Sequence, residues 1–228
     1  MTTDDNLFAQ IRDGGLHTAV LGDVLDQMGL RHCFLPAGIA PLQSESVLIG
    51  RAMPVLEADV FDDGSPDAAG PLNAKPFGLM LEALDNLRPG EVYIASGASP
   101  RYALWGELMT VRARTLGAAG AVLNGFVRDA RGIEAQNFPC FNRGLYAQDQ
   151  GPRGKVIDYR CTIEFGGIRV APGALIFGDR EGVLVIPAEA ETEAVARALE
   201  KSRTENIVET AIRGGMSTCE AFAKFGVM

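Results

Sequence analysis

Arg128 and Asp129 form a charged pair directly after the apolar stretch Ala121–Val127, whose composition is typical of a buried strand. Because an unpaired charge in the core is costly, both side chains are expected to point away from the strand interior. Ligands of α/β proteins bind in the cleft formed by the loops at strand ends. A carboxylate there can hold a divalent ion, and a guanidinium can bind a substrate carboxylate through two parallel hydrogen bonds. From the dipeptide alone, a surface ion pair of little consequence or the cap of a turn is the commoner explanation.

A second candidate site lies upstream, where "WGELM" predicts a helix that starts at Gly106. The N–H groups of Glu107, Leu108 and Met109 have no partner in an earlier turn, so this helix start can bind an anion. Glu107 is also explained as a first-turn acidic residue that stabilises the helix. If the helix start and Arg128 share a cleft, the two together could hold a small carboxylate.

Composition excludes several other kinds of site. The formal net charge is −8, and no Lys or Arg run could neutralise a phosphate backbone, so nucleic-acid binding is not expected. The two histidines are few for zinc and the four cysteines are widely spaced, which favours oxygen ligands for any metal and buried or half-buried thiols. The sequence contains no GxSxG, HExxH, P-loop or GxGxxG motif.

Length and hydropathy predict one cytoplasmic domain. The 228 residues, of which 47% are hydrophobic, suffice for one substantial core, although two lobes would also fit. The acidic start differs from a signal peptide, and polar residues interrupt every apolar window too early for a membrane span.

The first half of the chain predicts alternating helices and strands. An amphipathic helix with a Thr18 cap and an end at Gly29 carries Ala19, Val20, Val24, Leu25 and Met28 on one face. A strand over residues 46–60 is expected to break at Pro54, and a surface loop follows over 61–73. A helix ending near Leu87 then precedes a strand over Val92–Ala95.

The rest of the chain repeats this alternation once and then becomes rich in strands. A helix containing Leu108 and Ala113 ends at Gly117, and the strand Ala121–Val127 follows. Residues 155–187 predict strands joined by tight turns at "GG", "PG" and "DREG", so Asp179–Glu181 is interpreted as a hairpin connection rather than a second active site. From about residue 189 a helical extension runs toward Arg213, and one more short helix ends the chain. The alternation implies a layered α/β core.

Three stretches, "HTAVLGDVLDQMG", "WGELMTVRARTLGAAGAVLNGFVRDARGI" and "PGALIFGDREGVLVIP", resemble the family of RraA-like regulators and 4-hydroxy-4-methyl-2-oxoglutarate aldolases. The most specific element is an acidic residue, twenty intervening positions and then Arg-Asp, which here is Glu107 followed by Arg128-Asp129. The resemblance covers nearly the whole chain. It implies a swivelling β/β/α domain over residues 1–228 with the helical extension, assembled as a homotrimer or homohexamer.

The resemblance also implies an activity. Family aldolases use Mg²⁺ or Mn²⁺ to cleave 4-hydroxy-2-oxo acids to pyruvate, and they decarboxylate oxaloacetate. Asp129 would hold the metal, partly through water. Arg128 would bind the pyruvyl carboxylate and keto oxygen, and the backbone of Gly106–Met109 would hold the carboxylate. A water activated by the metal or ordered by Glu107 would act as the base. None of the lysines belongs to a motif, which agrees with metal rather than Schiff-base chemistry.

Two departures and one alternative accompany this interpretation. Glu107 stands where the best-known family aldolases have Asp. In those aldolases an acidic residue of a neighbouring subunit's C-terminal helix also reaches the site, for which Glu205 is the candidate and Glu209 the reserve. The alternative function is that of a non-catalytic regulator of ribonuclease activity, although such regulators often lose the Asp that this chain keeps. Some relatives are labelled as methyltransferases, but this sequence has no glycine-rich cofactor loop after its first strand to support that activity.

The determinants of substrate choice are expected in two loops, Phe61–Leu72 and Arg131–Tyr146, and in the partner subunit. Arg101 and Arg143 are candidates for binding a second carboxylate of the substrate, with surface solvation as the alternative.

Overall fold

The computed structural model describes residues 3–60, 72 and 75–227. They fall into two compact units, which are Met1–Arg31 together with Glu189–Met228, and His32–Ala188. The second boundary coincides with the predicted start of the helical extension. The single domain over residues 1–228 stays a prediction.

The helices are α1 Thr3–Asp13, α2 Thr18–Gln27, α3 Met80–Asp85, α4 Glu107–Thr115, α5 Ala130–Ala135, α6 Glu191–Arg213 and α7 Thr218–Phe225. The strands are β1 Ala40–Pro41, β2 Leu48–Asp59, β3 Glu91–Ser96, β4 Ala103–Trp105, β5 Gly120–Leu123, β6 Phe126–Val127, β7 Cys140–Asn142, β8 Gly154–Tyr159, β9 Ile163–Phe165, β10 Ile168–Val170, β11 Leu175–Asp179 and β12 Gly182–Ile186.

The main sheet of the second unit is mixed. Its strand order is β1-β7-β5-β3-β2-β11-β12, and β8 also pairs with β2. Strands β2, β3, β5 and β7 run parallel, with Met53 opposite Tyr93 and Tyr93 opposite Ala121. Strands β11, β12 and β8 add antiparallel pairs. The central strands, which alternate with helices along the chain, therefore form a parallel core.

Alternate residues of the central strands face two different cores, because side chains of a strand point to opposite faces in turn. Tyr93 and Ala95 pack with residues of α3–α5, whereas Val92 and Ile94 pack with the β9–β10 hairpin. The three layers are thus helices, main sheet and hairpin, which confirms the α/β class with a β/β/α arrangement.

The β4–β6 pair forms a separate two-stranded sheet and is parallel. The Arg128 N–H donates to the Trp105 carbonyl at 3.0 Å, so the ends of β4 and β6 lie side by side. The predicted single strand Ala121–Val127 is therefore wrong in one respect. It divides at Asn124-Gly125 into β5, which belongs to the main sheet, and β6, which pairs with β4.

The predicted break at Pro54 is also wrong, since β2 runs through it. β11 pairs with β2 over Leu48–Arg51 and β8 pairs over Val55–Asp59. Pro54 lies in the gap between these two ladders, where its missing N–H leaves neither ladder without a donor.

Several local predictions are confirmed and others need correction. The turns of the strand-rich segment lie where the sequence places them, and Asp179–Gly182 closes the β11–β12 hairpin.

His17, rather than Thr18, caps α2, and Ala19 is exposed. Cys219 is exposed, in contrast to the buried Cys33 and Cys140. Most of the expected loop 61–73 lies outside the described residues. No helix in the described part of the chain has the length and apolar character to cross a membrane.

Glu57 of β2 is a carboxyl group in the core, 2% exposed. Burial raises its pKa from the ordinary 4.5 to about 8; a hydrogen bond from Gln150 opposes this shift and the charge of Asp59 adds to it. Gln150 Nε2 donates to Glu57 Oε2 at 2.9 Å. The pair anchors the loop before β8, which also carries Asp149.

Glu57→Gln should remove a pH dependence of stability. Between pH 4.5 and about 8 the folded protein holds a proton that the unfolded chain releases. The wild-type free energy of unfolding therefore falls as the pH rises through that window, by up to about 1.4 kcal/mol per pH unit from this group. The variant should lose this slope and be more stable than the wild type at pH 8 in urea unfolding. The exposed Glu45→Gln serves as control, and an unchanged slope in Glu57→Gln would contradict the assignment.

Candidate active site

The candidate site forms where β4 and β6 end. Gly106 follows β4 and opens α4, and Arg128-Asp129 follows β6 and opens α5. Because the two strands are parallel and adjacent, the two sequence features predicted to share a cleft do so. The Glu107 N–H donates to Asp129 Oδ2 at 3.3 Å, which links the start of α4 to the carboxylate.

Gly106 is required for this contact. A Cβ at this position would lie 2.8 Å from Asp129 Oδ2 and 3.5 Å from Arg128 Cγ. The backbone of Gly106 is extended, with φ −150° and ψ −177°, a conformation open to any residue. The position therefore needs glycine for the space it leaves to the carboxylate rather than for backbone freedom.

Asp129 has a left-handed backbone, with φ 56° and ψ 35°. Non-glycine residues rarely adopt this region, and Asp and Asn tolerate it better than others. Strained residues of this kind concentrate at functional sites. The conformation turns the chain from β6 into α5 within one residue and places the Asp129 carboxylate beside Gly106.

Asp149 is a site residue that the sequence did not reveal. Its Oδ1 forms an ion pair with Arg128 Nη1 at 2.9 Å, and its Oδ2 accepts a hydrogen bond from the Gly151 N–H at 3.2 Å. Arg128 Nε lies 3.8 Å from Asp129 Oδ2, so two carboxylates flank the guanidinium. Asp149 lies in a loop with no motif around it, next to Gln150, whose side chain donates to the buried Glu57.

The start of α4 presents two of the three backbone donors that the sequence predicts. The Glu107 N–H donates to Asp129 Oδ2, whereas the N–H groups of Leu108 and Met109 have no hydrogen-bond partner among the described residues and stay available to a ligand. Trp105 Nε1 donates to Thr110 Oγ1 at 2.7 Å, which fixes the first turn of α4 against the end of β4. This geometry suits a carboxylate held between α4 and Arg128.

These groups line one cleft of about 450 Å³, within the range of small-molecule sites. The walls are lined by Phe77, Met80, Leu81, Leu84, Asp85, Ala103, Leu104, Trp105, Gly106, Leu108, Met109, Arg112, Arg128, Asp129, Asp149 and Gln150. Of the predicted site residues, Gly106, Leu108, Met109, Arg128 and Asp129 are thus brought together.

The Glu107 side chain is placed differently. A Cβ on Gly132 would lie 2.2 Å from Glu107 Cδ, so the carboxyl group lies against the first turn of α5, and Glu107 is absent from the cleft lining given above. Its backbone N–H, in contrast, contacts Asp129. The catalytic role of the Glu107 carboxylate stays a prediction.

The remaining candidates lie outside this lining. Arg101 pairs with Asp59 at 3.2 Å, and Arg143 donates to Asn124 Oδ1 at 2.7 Å. Glu205, in the unit that contains α6, pairs with Lys201, so its cross-subunit role stays a prediction. The reserve candidate Glu209 pairs with Arg213.

Asp129 is the carboxylate best suited to hold a metal. Asp149 Oδ1 is paired with Arg128 and its Oδ2 accepts from the Gly151 N–H, whereas Asp129 Oδ1 accepts no hydrogen bond from the described residues. No group of three or more His, Cys, Asp or Glu side chains that could hold a metal occurs in the described part of the chain. Mg²⁺ is commonly held by one or two carboxylates, with water and substrate oxygens completing its shell. The donor set therefore fits Mg²⁺ or Mn²⁺.

The fold is that of an α/β protein with a cleft of small-molecule size at its strand ends, lined by carboxylates and arginines. Residues 18–185 match the RraA-like (Aldolase/RraA) family, and the chain belongs to that family. A Halalkalibacterium halodurans protein provisionally named 4-hydroxy-4-methyl-2-oxoglutarate aldolase is 33% identical over 207 residues, which cover 90% of this chain and 89% of that protein.

Solved structures show the same fold. An uncharacterized protein from Pseudomonas syringae pv. tomato has a TM-score of 0.83 and 26% identity, and the match covers 97% of this chain and 94% of that one. Streptomyces coelicolor RraAS2, described as an unusual member of the RNase ES inhibitor RraA protein family, has a TM-score of 0.77 at 20% identity, with 92% and 98% covered. The second likeness concerns the fold alone.

The left-handed backbone at Asp129 predicts which substitutions the site tolerates. Asp129→Asn should keep nearly the wild-type stability, because Asn tolerates this conformation, whereas Asp129→Ala should lose about 1 kcal/mol. Urea unfolding of both variants measures the difference. Asn137→Ala is a matched control, since Asn137 has φ 49° and lies outside the cleft lining. Equal stability of the two Asp129 variants would contradict this account.

Proposed function

We propose that this protein is a divalent-metal-dependent carbon–carbon lyase that cleaves a 4-hydroxy-2-oxo acid to pyruvate and also decarboxylates oxaloacetate. The observation that carries the proposal is the meeting of Arg128, the Asp129 carboxylate and the open N–H groups of α4 in one cleft. Membership of the Aldolase/RraA family and the name of the Halalkalibacterium relative support it.

Substrate binding is assigned to groups that retain hydrogen-bonding capacity. Arg128 Nη1 is occupied by Asp149, and Nη2 has no hydrogen-bond partner among the described residues. Nη2 and the N–H groups of Leu108 and Met109 would bind the carboxylate of the 2-oxo acid, with the dipole of α4 adding to the attraction. The paired Asp149 holds the guanidinium in one orientation, which is the main function we assign to it.

Cleavage of the carbon–carbon bond leaves an electron pair whose negative charge must be stabilised. When the C3–C4 bond of the 4-hydroxy-2-oxo acid breaks, the pair stays with the pyruvyl fragment as an enolate, and C4 becomes a carbonyl carbon. The C4 hydroxyl proton passes to water, and C3 then takes up a proton to give pyruvate. Decarboxylation of oxaloacetate breaks the corresponding bond, releases CO₂ and produces the same enolate.

Mg²⁺ or Mn²⁺ held by Asp129 would supply Lewis-acid stabilisation of the charge that develops on the keto oxygen. Arg128 would add a second positive charge beside the same oxygen. No lysine occurs in the cleft lining of the described residues, which supports metal rather than imine chemistry. The trimeric or hexameric assembly, and a Glu205 contribution to a neighbouring subunit's site, belong to the same proposal.

Pyruvate release tests the proposal. Metal-stripped protein should be inactive toward oxaloacetate and 4-hydroxy-4-methyl-2-oxoglutarate, and Mg²⁺ or Mn²⁺ should restore turnover of at least one of them. Asp129→Asn, which keeps the backbone conformation, should lower kcat by about 10²–10³-fold, the scale for losing one group that stabilises a developing charge. The exposed Asp158→Asn is the matched control, since it removes a carboxylate outside the cleft lining.

The outcome also separates the two candidate functions. Absence of metal-dependent turnover, together with absence of pyruvate binding in the presence of metal, would contradict the lyase and favour a binding protein of the regulator type. Equal activity of Asp129→Asn and the wild type would contradict the assignment of Asp129.

A further inference from the structure

One end of the cleft carries the charged residues of the candidate site, and most of the remaining lining is apolar. Beyond Arg128, Asp129 and Asp149, the lining toward α3 contains the apolar Phe77, Met80, Leu81 and Leu84, together with Asp85. Leu108 and Met109 of α4 continue the apolar wall, and the side chains of Leu81 and Leu108 are 56% and 82% exposed. A pyruvyl group alone has few atoms for a space of about 450 Å³, so the rest of the cleft is available to the C4 substituent of a substrate.

The far end of the cleft offers a second carboxylate no unpaired cation among the described residues. The lining contains two arginines and three aspartates, and each arginine already has an aspartate partner. Arg128 is paired with Asp149 at 2.9 Å, and Arg112 Nε is paired with Asp85 Oδ1 at 2.7 Å. Arg112 lies five residues beyond Glu107, or roughly 7.5 Å along α4 from its start. A carboxylate at the far end of the cleft would have to displace Asp85 from Arg112.

The other two arginines considered from the sequence do not supply a cation to the cleft. Arg101 and Arg143 are bonded to Asp59 and Asn124 and are absent from the lining. An apolar substituent, in contrast, removes Leu81, Leu108 and Met109 from water when it binds, and each buried methylene contributes about fourfold to binding.

We infer that the protein prefers 4-hydroxy-2-oxo acids whose C4 substituent is apolar over those that carry a second carboxylate there, with Leu81 as a specificity-determining residue. The inference rests on the proposed function for the reaction, but it concerns the part of the cleft that faces the substituent. It departs from the dicarboxylate in the name of the Halalkalibacterium relative.

Binding of two isosteric 2-oxo acids tests the inference separately from turnover. In the presence of Mg²⁺, 5-methyl-2-oxohexanoate should bind at least tenfold more tightly than 2-oxoglutarate, whose carboxylate takes the place of the isopropyl group. Isothermal titration calorimetry gives both constants. Equal binding, tighter binding of 2-oxoglutarate, or no binding of either would overturn the preference. Pyruvate release from oxaloacetate would still decide the proposed reaction.

Leu81→Lys should reduce or reverse the preference. The new ammonium adds one positive charge to the cleft, either directly or by pairing with Asp85, one helical turn away, and releasing Arg112. The ratio of the two affinities should then shift toward 2-oxoglutarate by at least tenfold. Val47→Lys is the matched control, because Val47 is 54% exposed and lies outside the lining. An unchanged ratio in Leu81→Lys would overturn the assignment of Leu81.

Matched retro-aldol substrates extend the test to catalysis. The pair is 4-hydroxy-7-methyl-2-oxooctanoate and 4-hydroxy-2-oxoheptanedioate, which differ by the same exchange of isopropyl for carboxylate. The first should have at least the tenfold higher kcat/KM expected from the binding pair. Turnover of both substrates with the diacid preferred would overturn the inference and leave the lyase function intact. If neither of the two substrates nor oxaloacetate is turned over, that result would count against the lyase itself.

Discussion

The parallel pairing of β4 with β6 is the constraint on which the site depends. A chain that leaves β4 through α4 and returns through β5 can place both strand ends at the same edge only if the strands run in the same direction. The hydrogen bond from the Arg128 N–H to the Trp105 carbonyl fixes that register. The spacing of twenty residues between Glu107 and Arg128 is therefore the length of one crossover connection.

Close approach at this edge then selects the residue types. Gly106 leaves space for the Asp129 carboxylate, and the left-handed backbone at Asp129 turns that carboxylate toward the start of α4. Asp149 reaches Arg128 from a separate loop that the buried Glu57–Gln150 hydrogen bond holds in place. The site thus combines local backbone geometry with one contact between distant parts of the chain.

Sequence reasoning could find the parts of the site that local rules govern. A charged pair after an apolar run and an uncapped helix start are visible in short windows, and both were found. Asp149 was missed because its contact with Arg128 depends on tertiary packing. The division of β5 from β6 and the continuity of β2 through Pro54 were missed for a related reason: each depends on which strands lie alongside. The position of the Glu107 side chain depends on its packing against α5, and the sequence does not show where α5 lies relative to Glu107.

The most direct measurement is a crystal structure with Mn²⁺ and pyruvate, using anomalous scattering to locate the metal. The account predicts an anomalous peak about 2.1–2.2 Å from Asp129 Oδ1, the scale of small divalent cations bound to oxygen. The pyruvate carboxylate should contact Arg128 and the N–H groups of Leu108 and Met109. Manganese bound away from Asp129, or pyruvate bound outside this cleft, would contradict the account.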